Sequence, residues 1–289
     1  MRISLQGGQI VMASVVSTSL LLTTGCVDKP KNLIAIELGE GVRMRLALVP
    51  AGTFLMGSPE SDKGRNECHS KDSKPEGPQR QVAISRAFYI STTEVTRAQW
   101  LALMHSEPWK GSKKVRTGPN YPATHVLWKE AVSFCRAMSR KIGRVVRLPT
   151  EAEWEYACRG GASTRFYYGD DPNYERLGDY GWYVENTIRK NEKYAHPVAR
   201  KKPNAWGLFD MHGNVEEWCA DWYTEAQATA DAAVDPKGPA SGHCHVVRGG
   251  AWDCGPRYCR AGYQLPGMLD PTHRYDTVGF RVVVEVEQE

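Results

Sequence analysis

The alternation of apolar and polar positions predicts a first strand near residue 42. Four apolar side chains stand two residues apart there: Val42, Met44, Leu46 and Leu48. This period is typical of a strand with one buried face. The turn signal Pro50-Ala51-Gly52 follows, so residues 53–56 are predicted to return as the second strand of a hairpin. A further strand is predicted over 82–90.

Helical periodicity appears in three places. Apolar positions three to four residues apart predict helices over 93–104 and 127–142, and the second is expected to end at Gly143. A third helix begins at Thr150, which has the spacing of a capping box with Glu153. Beyond residue 159 the periodicity fades, and closing strands are predicted at 246–248 and 280–284. These elements predict one domain with irregular structure and no internal linker.

The N-terminal segment is typical of an export signal. Thirteen apolar to neutral residues run over 10–22, too short to span a bilayer but as long as the apolar region of a signal peptide. The run leads to Gly25-Cys26, which resembles a bacterial lipoprotein cleavage site, although Thr23 stands where Leu is usual. We therefore predict a signal peptide over 1–25, a lipidated Cys26 that anchors the chain in a membrane, and a polar tether over 26–41. Plain secretion and an uncleaved anchor are the alternatives.

The composition changes this picture little. Hydrophobic residues make up 41% of the 289 positions and charged residues 24%, as in a soluble globular protein. The net charge is +4 without a basic run, so nucleic-acid binding is not expected. Eight cysteines are many for a protein of the reducing cytosol. They favour either export, to the periplasm or cell surface, or a metal site. With Cys26 lipidated, seven cysteines remain, so at least one is unpaired or intermolecular.

Six segments in order resemble the sulfatase-modifying-factor family, the family of formylglycine-generating enzymes. They are 49–58 (VPAGTFLMGS), 88–100 (FYISTTEVTRAQW), 147–161 (RLPTEAEWEYACRGG), 204–218 (NAWGLFDMHGNVEEW), 248–252 (RGGAW) and 279–281 (GFR). The resemblance covers residues 42–285. It implies a single α+β domain of the C-type-lectin-like type with little regular secondary structure.

The resemblance implies a catalytic pair of cysteines. Enzymes of this family use O₂ and a copper ion held by two cysteines to oxidise a Cys of a target protein, such as a sulfatase, to formylglycine. The matching residues are Cys254 and Cys259, which have the same spacing and the same distance from Gly250. Cu(I) is a soft ion that prefers thiolate ligands. This interpretation predicts an exported copper-dependent oxidase.

Three residues favour another interpretation. Animal-type enzymes of the family pair the helix cysteine, here Cys158, with a structural cysteine that can be aligned with Cys259. Glu216 stands where the family has a Trp beside the copper, and Ala251 stands where it has a Ser. A Cys158–Cys259 disulfide and a copper pair therefore both stay open. The corresponding alternative function is a non-catalytic, lipid-anchored, lectin-like module that binds a protein or glycan, and an oxidoreductase of the family without the copper pair is a third possibility.

The resemblance also implies a Ca²⁺ site in the loop 209–218. Matched by position, the oxygens would come from the side chains of Asp210 and Glu217 and the carbonyls of Gly213 and Val215. Ca²⁺ takes six to eight oxygen ligands, so these four residues form a plausible partial set. A metal-free turn is the alternative. A second calcium site of the family, after Asn186, is expected to be absent because its downstream Asp is missing.

Two further groups of residues are expected to be structural. In the triplet His243-Cys244-His245, the two histidines would share one face of a strand, and they are expected at a solvated edge rather than at a metal. Arg147, Arg248 and Arg281 lie in family segments and are expected to satisfy backbone carbonyls in a fold rich in loops.

Overall fold

Eleven short strands and three α-helices form the regular structure of the parts of the chain described by the computed structural model, which are residues 33–62, 76–224, 231–265, 269–270 and 272–287. The strands are β1 (Leu33–Gly39), β2 (Val42–Val49), β3 (Gly52–Met56), β4 (Arg80–Ile84), β5 (Phe88–Ser91), β6 (Val146–Arg147), β7 (Glu216–Trp222), β8 (Ala233–Val234), β9 (His245–Arg248), β10 (Val278–Gly279) and β11 (Val283–Glu285). The helices are α1 (Arg97–Met104), α2 (Trp128–Ile142) and α3 (Glu151–Arg159).

The largest sheet is antiparallel and has the strand order β1-β2-β5-β11-β6. Its first strand corrects the predicted tether over 26–41, because residues 33–39 pair with β2 from Leu33↔Ala47 onward. Ile34 and Ile36 turn toward the core while Leu33 is exposed, which is the alternation of a half-buried strand. The domain therefore begins before residue 42, and the part of the tether before residue 33 lies outside the described residues.

The predicted hairpin of β2 with β3 does not form. β2 pairs with β5, whereas β3 pairs with β4 in a second sheet of order β3-β4-β8. The predicted strand over 82–90 is likewise two strands, one in each sheet. Between them, the backbone N–H and the hydroxyl of Ser85 bind the carboxylate of Asp235. The chain thus crosses from one sheet to the other twice, at residues 50–51 and 85–87.

The predicted helices are confirmed. Thr96 caps α1 in a capping box with Gln99, three residues later than the expected start. Helix α2 ends at Gly143, which has a φ of 71° and so occupies the left-handed region that favours glycine. In α3 the Glu153 N–H donates to Thr150 Oγ1 at 3.2 Å, and the Thr150 N–H donates to Glu153 Oε2 at 2.8 Å.

A third sheet has the strand order β10-β7-β9, and its strand β7 begins within the predicted calcium loop, 209–218. β9 covers the predicted strand at 246–248, and the predicted strand over 280–284 is replaced by the shorter β10 and β11. Buried arginines hold these sheets to the helices. Arg248 donates to Glu155 and to the carbonyls of Tyr263 and Ala261, in agreement with its predicted structural role.

Two large apolar clusters form most of the core of the described residues. One packs α1 and α2 on the large sheet, with the Trp100 and Phe134 rings stacked at 5.8 Å. The other lies around Trp154 and packs α3 against the second sheet and against β7 and β9 of the third. These buried aromatic side chains supply much of the apolar area that stabilises a fold with so little regular structure. In the parts of the chain that the structure describes, no helix has the length and apolarity needed to cross a membrane. The predicted signal peptide and Cys26 lie outside them.

Candidate functional site

One short turn separates Cys254 from Cys259, and the two thiols are near enough for Cys259 to raise the pKa of Cys254. Residues 256–259 form one turn of 3₁₀ helix with Pro256 at its first position, as the Gly-Pro dipeptide favours. The Cys254 N–H donates to the Ala251 carbonyl at 3.0 Å, and the Cys254 carbonyl accepts from the Val184 N–H at 3.0 Å. These bonds fix the backbone on either side of the first sulfur.

Gly250 allows the close approach of this turn. Its φ of 72° lies in the left-handed region. A Cβ atom on Gly250 would lie 2.8 Å from the Tyr258 carbonyl oxygen and 3.0 Å from the Cys259 sulfur. A larger residue at this position would displace the second cysteine, so the glycine is part of the site.

The Cys158–Cys259 disulfide that the sequence left open is not present in the structure. All six cysteines in the described ranges are thiols: Cys135, Cys158, Cys219, Cys244, Cys254 and Cys259. The Cys158 sulfur lies 3.7 Å from the Met211 carbonyl oxygen and 3.8 Å from His212 Nδ1. Cys259 packs instead in a small aromatic cluster with Phe166 and Tyr183. Cys259 is therefore available to act with Cys254.

Two carboxyl groups accompany the two thiols, and we call Cys254, Cys259, Glu216 and Asp253 the thiol cluster. Glu216 begins β7, is 5% exposed, and donates its N–H to the Thr277 carbonyl. Burial, with Asp253 adding to it, raises the pKa of Glu216 to about 8. Burial and the Glu216 carboxyl raise the pKa of both thiols. The cluster therefore holds its thiols protonated at neutral pH.

The donor set of the thiol cluster fits Cu(I), which two sulfur ligands can hold. Cys254 is partly exposed and Cys259 is fully buried, so one side of the pair faces the surface. Ion binding here would have to displace the thiol protons beside the Glu216 carboxyl, and ionisation of that carboxyl would oppose it. In the described ranges no three His, Cys, Asp or Glu side chains are arranged around one ion, so a copper site would rest on the two sulfurs.

The predicted calcium loop has the backbone shape of a tight turn. Asp210, Gly213 and Asn214 have φ values of 60°, 133° and 70°. A Cβ atom on Gly213 would lie 2.2 Å from the Trp182 carbonyl oxygen, so only glycine fits there. The side chain of Asn214 accepts from the His196 N–H and donates to Glu94 Oε1 at 2.9 Å. The loop is thus fixed to three distant segments.

Glu217 has a different partner from the predicted ion. Both of its carboxylate oxygens accept from Arg281, at 2.6 and 2.7 Å, and Oε2 also accepts from Trp154 Nε1 at 2.8 Å. All three side chains are fully buried. Both oxygens therefore already serve a cation and a donor, and the predicted role of Glu217 as a Ca²⁺ ligand stays a prediction beside this ion pair with Arg281.

Glu94 lies close to Asp210 and Glu217 behind the loop. Asp210 Oδ2 accepts from the Ala199 N–H at 2.7 Å, but Asp210 Oδ1 and Glu94 Oε2 are buried without a hydrogen-bond partner in the described ranges. Burial and the facing Asp210 raise the pKa of Glu94, and burial raises that of Asp210 to about 6. The two carboxyls are also near enough to hydrogen-bond to each other, so a shared proton or a bound ion can satisfy these buried oxygens. The pair fits a hard cation such as Ca²⁺.

His245 is not at a solvated edge. Its ring is buried between Trp128 and Trp222, with ring centroids 3.6 and 3.7 Å away, and Nδ1 lies 3.2 Å from the Asp221 carbonyl oxygen. The ring is therefore part of the packing between α2 and the β7–β9 pair. This packing does not test the expectation that no metal binds at His243 and His245.

These features define the class of the molecule: an α+β domain built on three short sheets, with a reduced pair of cysteines on one turn and a buried acidic pair behind a tight loop. The profile of the sulfatase-modifying factor enzyme 1-like domain matches residues 42–286. The chain therefore belongs to this family, and the resemblance and the α+β fold class inferred from the sequence are confirmed.

Individual relatives agree with the family. The chain is similar to a formylglycine-generating enzyme of Bos taurus, with 29% identity over 83% of this chain and 75% of that protein. It is also similar to the formylglycine-generating enzyme of Streptomyces coelicolor, with 36% identity over 64% of this chain and 60% of that protein. Among solved structures, Treponema denticola variable protein 1 superposes with a TM-score of 0.74 at 26% identity, over 88% of this chain and 99% of that one. The fold is thus shared by proteins with different names.

Proposed function

We propose that the chain is a formylglycine-generating oxidase whose Cys254 and Cys259 bind Cu(I) and which converts a Cys of a target protein, such as a sulfatase, to formylglycine. The observation that carries this proposal is the pair of thiols on one turn, with Cys259 not bonded to Cys158. The names of the bovine and Streptomyces relatives support it.

The chemistry requires more than the two cysteines. In the overall reaction the –CH₂–SH group of the target becomes –CHO and releases H₂S, and the O₂ is reduced to the aldehyde oxygen and one water. The target supplies two of the four electrons, and two molecules of a thiol reductant supply the others as they form a disulfide. A bound copper ion would carry out the chemistry with O₂.

The chain's own residues would position and restrain this chemistry. The fixed carbonyl and N–H of Cys254 hold one sulfur toward the surface, while the aromatic cluster around Cys259 keeps water from the other. Both thiols must lose a proton before they bind the ion. Glu216 opposes that loss, so turnover slower than in relatives with an aromatic residue is expected.

Copper binding tests the proposal. Titration of the reduced protein with Cu(I) against a competing chelator should give one equivalent per chain, and Cys254→Ala and Cys259→Ala should each abolish it. Cys244→Ala, which removes a buried thiol outside the cluster, is the matched control. Mass spectrometry of a target peptide with an unpaired Cys should show aldehyde formation by the parent and none by either variant.

A non-catalytic module is the second candidate function, and Glu216 favours it. A carboxyl group beside the two sulfurs raises the pKa of both thiols and disfavours the thiolates that copper needs. A parent protein that binds no Cu(I) and forms no aldehyde would contradict the oxidase proposal and leave a lectin-like module that binds a protein or glycan.

The acidic pair is proposed to hold one Ca²⁺. Asp210 and Glu94 would supply carboxylate oxygens, and Gly213 and Val215 would supply carbonyl oxygens from the tight loop. The two buried oxygens without partners support this ligand set, and the Arg281–Glu217 ion pair supports the replacement of Glu217 by Glu94.

The chain is further proposed to be an exported lipoprotein with its lipid on Cys26. The apolar run before Gly25-Cys26 supports this. Cys26→Ala should move the protein from the membrane fraction to the soluble fraction, while Cys26→Ala and the parent should have equal thermal stability. Unchanged fractionation of the variant would contradict the lipid anchor.

A further inference from the structure

A cavity of about 920 Å³ lies between the β1–β2 turn, helix α1 and the loop over residues 105–119. Its volume is within the range of small-molecule sites in proteins. The apolar part of the wall comes from Leu38, Val42, Leu101, Trp109 and Val115. None of the lining residues belongs to the thiol cluster or to the calcium loop.

Arg97 distinguishes this cavity from an ordinary surface cleft. It lines the wall and is 4% exposed. Its guanidinium lies over the Trp109 ring at 5.2 Å and over the Tyr121 ring at 5.3 Å, and Nη1 donates to the Arg116 carbonyl. Its Nε is buried and has no acceptor in the described ranges. One of its donors is therefore left without a partner.

Other fully buried arginines in the described ranges are paired with carboxylates. The pairs are Arg159–Glu155, Arg248–Glu155, Arg260–Glu76 and Arg281–Glu217. For Arg97 no ion pair is found in those ranges, and the one carboxyl group that raises its pKa, Glu107, does so without a hydrogen bond. Burial lowers the pKa of Arg97 to about 10. A buried cation without an anion is costly, so an anion is the missing partner.

We propose that this cavity binds a small organic carboxylate, whose anionic group pairs with Arg97 and whose apolar body packs on Trp109 and Leu101. One guanidinium matches one carboxylate in a bidentate pair. The wall carries three basic side chains (Arg97, Lys110 and Lys141) and two acidic ones (Glu40 and Glu107), an excess of one positive charge. That excess fits a monoanion better than a phosphate dianion, and the apolar walls favour a ligand with a hydrocarbon portion.

The experiment uses benzoate and hexanoate as probes, with benzamide and hexanamide as neutral controls of nearly the same shape. Binding to the purified full chain is measured by calorimetry and by thermal shift at low salt. We expect saturable binding of at least one acid at millimolar concentration, with a dose-dependent rise in melting temperature. The amides should bind at least about tenfold more weakly, as a lost charge-assisted pair predicts.

Two sets of variants test the assignment to Arg97 and to this wall. Arg97→Gln should abolish binding of the acid, while Arg43→Gln, an exposed arginine outside the cavity, should leave it unchanged. Leu101 lies at the rim and is 37% exposed, so its replacement should not disturb folding. Leu101→Asp should weaken binding of the acid several-fold relative to Leu101→Asn, and added salt should narrow the difference.

Three outcomes would overturn the proposal. They are equal binding of acid and amide, full binding by Arg97→Gln, and no saturable binding of either acid up to about 20 mM, well above the millimolar affinity that a single buried pair supplies. If Arg97→Gln does not fold, the comparison of Leu101→Asp with Leu101→Asn still decides, because equal binding by those two variants contradicts the site. Inorganic phosphate that binds more tightly than either acid would contradict the monoanion assignment.

Discussion

The calcium loop and the thiol cluster both bury carboxyl groups with raised pKa values, but they differ in the charge that faces those groups. Behind the loop, Glu94, Asp210 and Glu217 share one cation, Arg281, and two of their oxygens have no donor. In the thiol cluster, Glu216 and Asp253 face two neutral thiols. The carboxyls behind the calcium loop lack positive charge, so they suit a hard cation. The thiol cluster is neutral while its groups are protonated, so it binds an ion only if its thiols ionise.

Removal of Arg281 should have the largest effect on stability. Arg281→Gln leaves Glu217 unpaired next to Glu94 and Asp210, and breaking one side of a buried ion pair costs about 3–5 kcal/mol. Urea denaturation should show this loss in the free energy of unfolding. Arg43→Gln, which breaks the exposed pair with Glu37, is the control and should cost no more than about 1 kcal/mol. Similar losses of unfolding free energy in the two variants would show that the buried pair stabilises the fold no more than the exposed pair does.

Removal of the ion should have the next largest effect. At a Ca²⁺ concentration 100 times the dissociation constant, binding adds about 2.7 kcal/mol, so a chelator should lower the melting temperature of the parent. Glu94→Gln and Asp210→Asn should abolish that response. Glu217→Ala should lower the stability through loss of its pairing with Arg281, with or without chelator. If neither chelator nor added Ca²⁺ changes the melting temperature of the parent, the loop binds no Ca²⁺ and the proposed difference between the two regions is contradicted.

The third expected effect lies in the thiol cluster and is measured as a pH dependence of stability. In the copper-free protein Glu216 has a pKa of about 8 against an ordinary value of 4.5, so the folded state binds its proton more tightly than the unfolded state. Stability should therefore fall as the pH rises from about 4.5 through about 8, and Glu216→Gln should remove this part of the fall. The same variant should raise the alkylation rate of Cys254 about tenfold for each unit by which the thiol pKa drops. An unchanged rate would show that Glu216 does not control the thiol.

The elements that the sequence predicted well depend on local interactions. Helix α2 and the capping box of Thr150 with Glu153 follow from residues within one or two turns of each other. The hairpin of β2 with β3 failed because the choice of strand partner depends on contacts far along the chain, such as Val49 with Phe88. β1 was missed because Leu33 to Ile36 run without a polar residue between them, so the strand lacks the apolar–polar alternation that marked β2.

The site residues divide in the same way. Cys254 and Cys259 could be paired from their spacing because one turn joins them. Glu94 could not be found, since it stands 116 positions before Asp210 and only the fold brings the two carboxyls together. The ion pair of Glu217 could not be predicted either, because position matching cannot reveal that Arg281, in another segment, binds both of its oxygens.

Asn214 joins segments that are far apart in sequence, with consequences for the order of folding. Its backbone and side chain bind Trp182, His196, Trp252 and Glu94. Long loops must close before any of these bonds can form, and contacts of this kind slow folding and form late. An ion bound at Asp210 would then meet a finished site rather than organise an unfolded one. Its main kinetic effect would be to lengthen the lifetime of the native state, because interactions absent from the transition state slow unfolding and leave the folding rate unchanged.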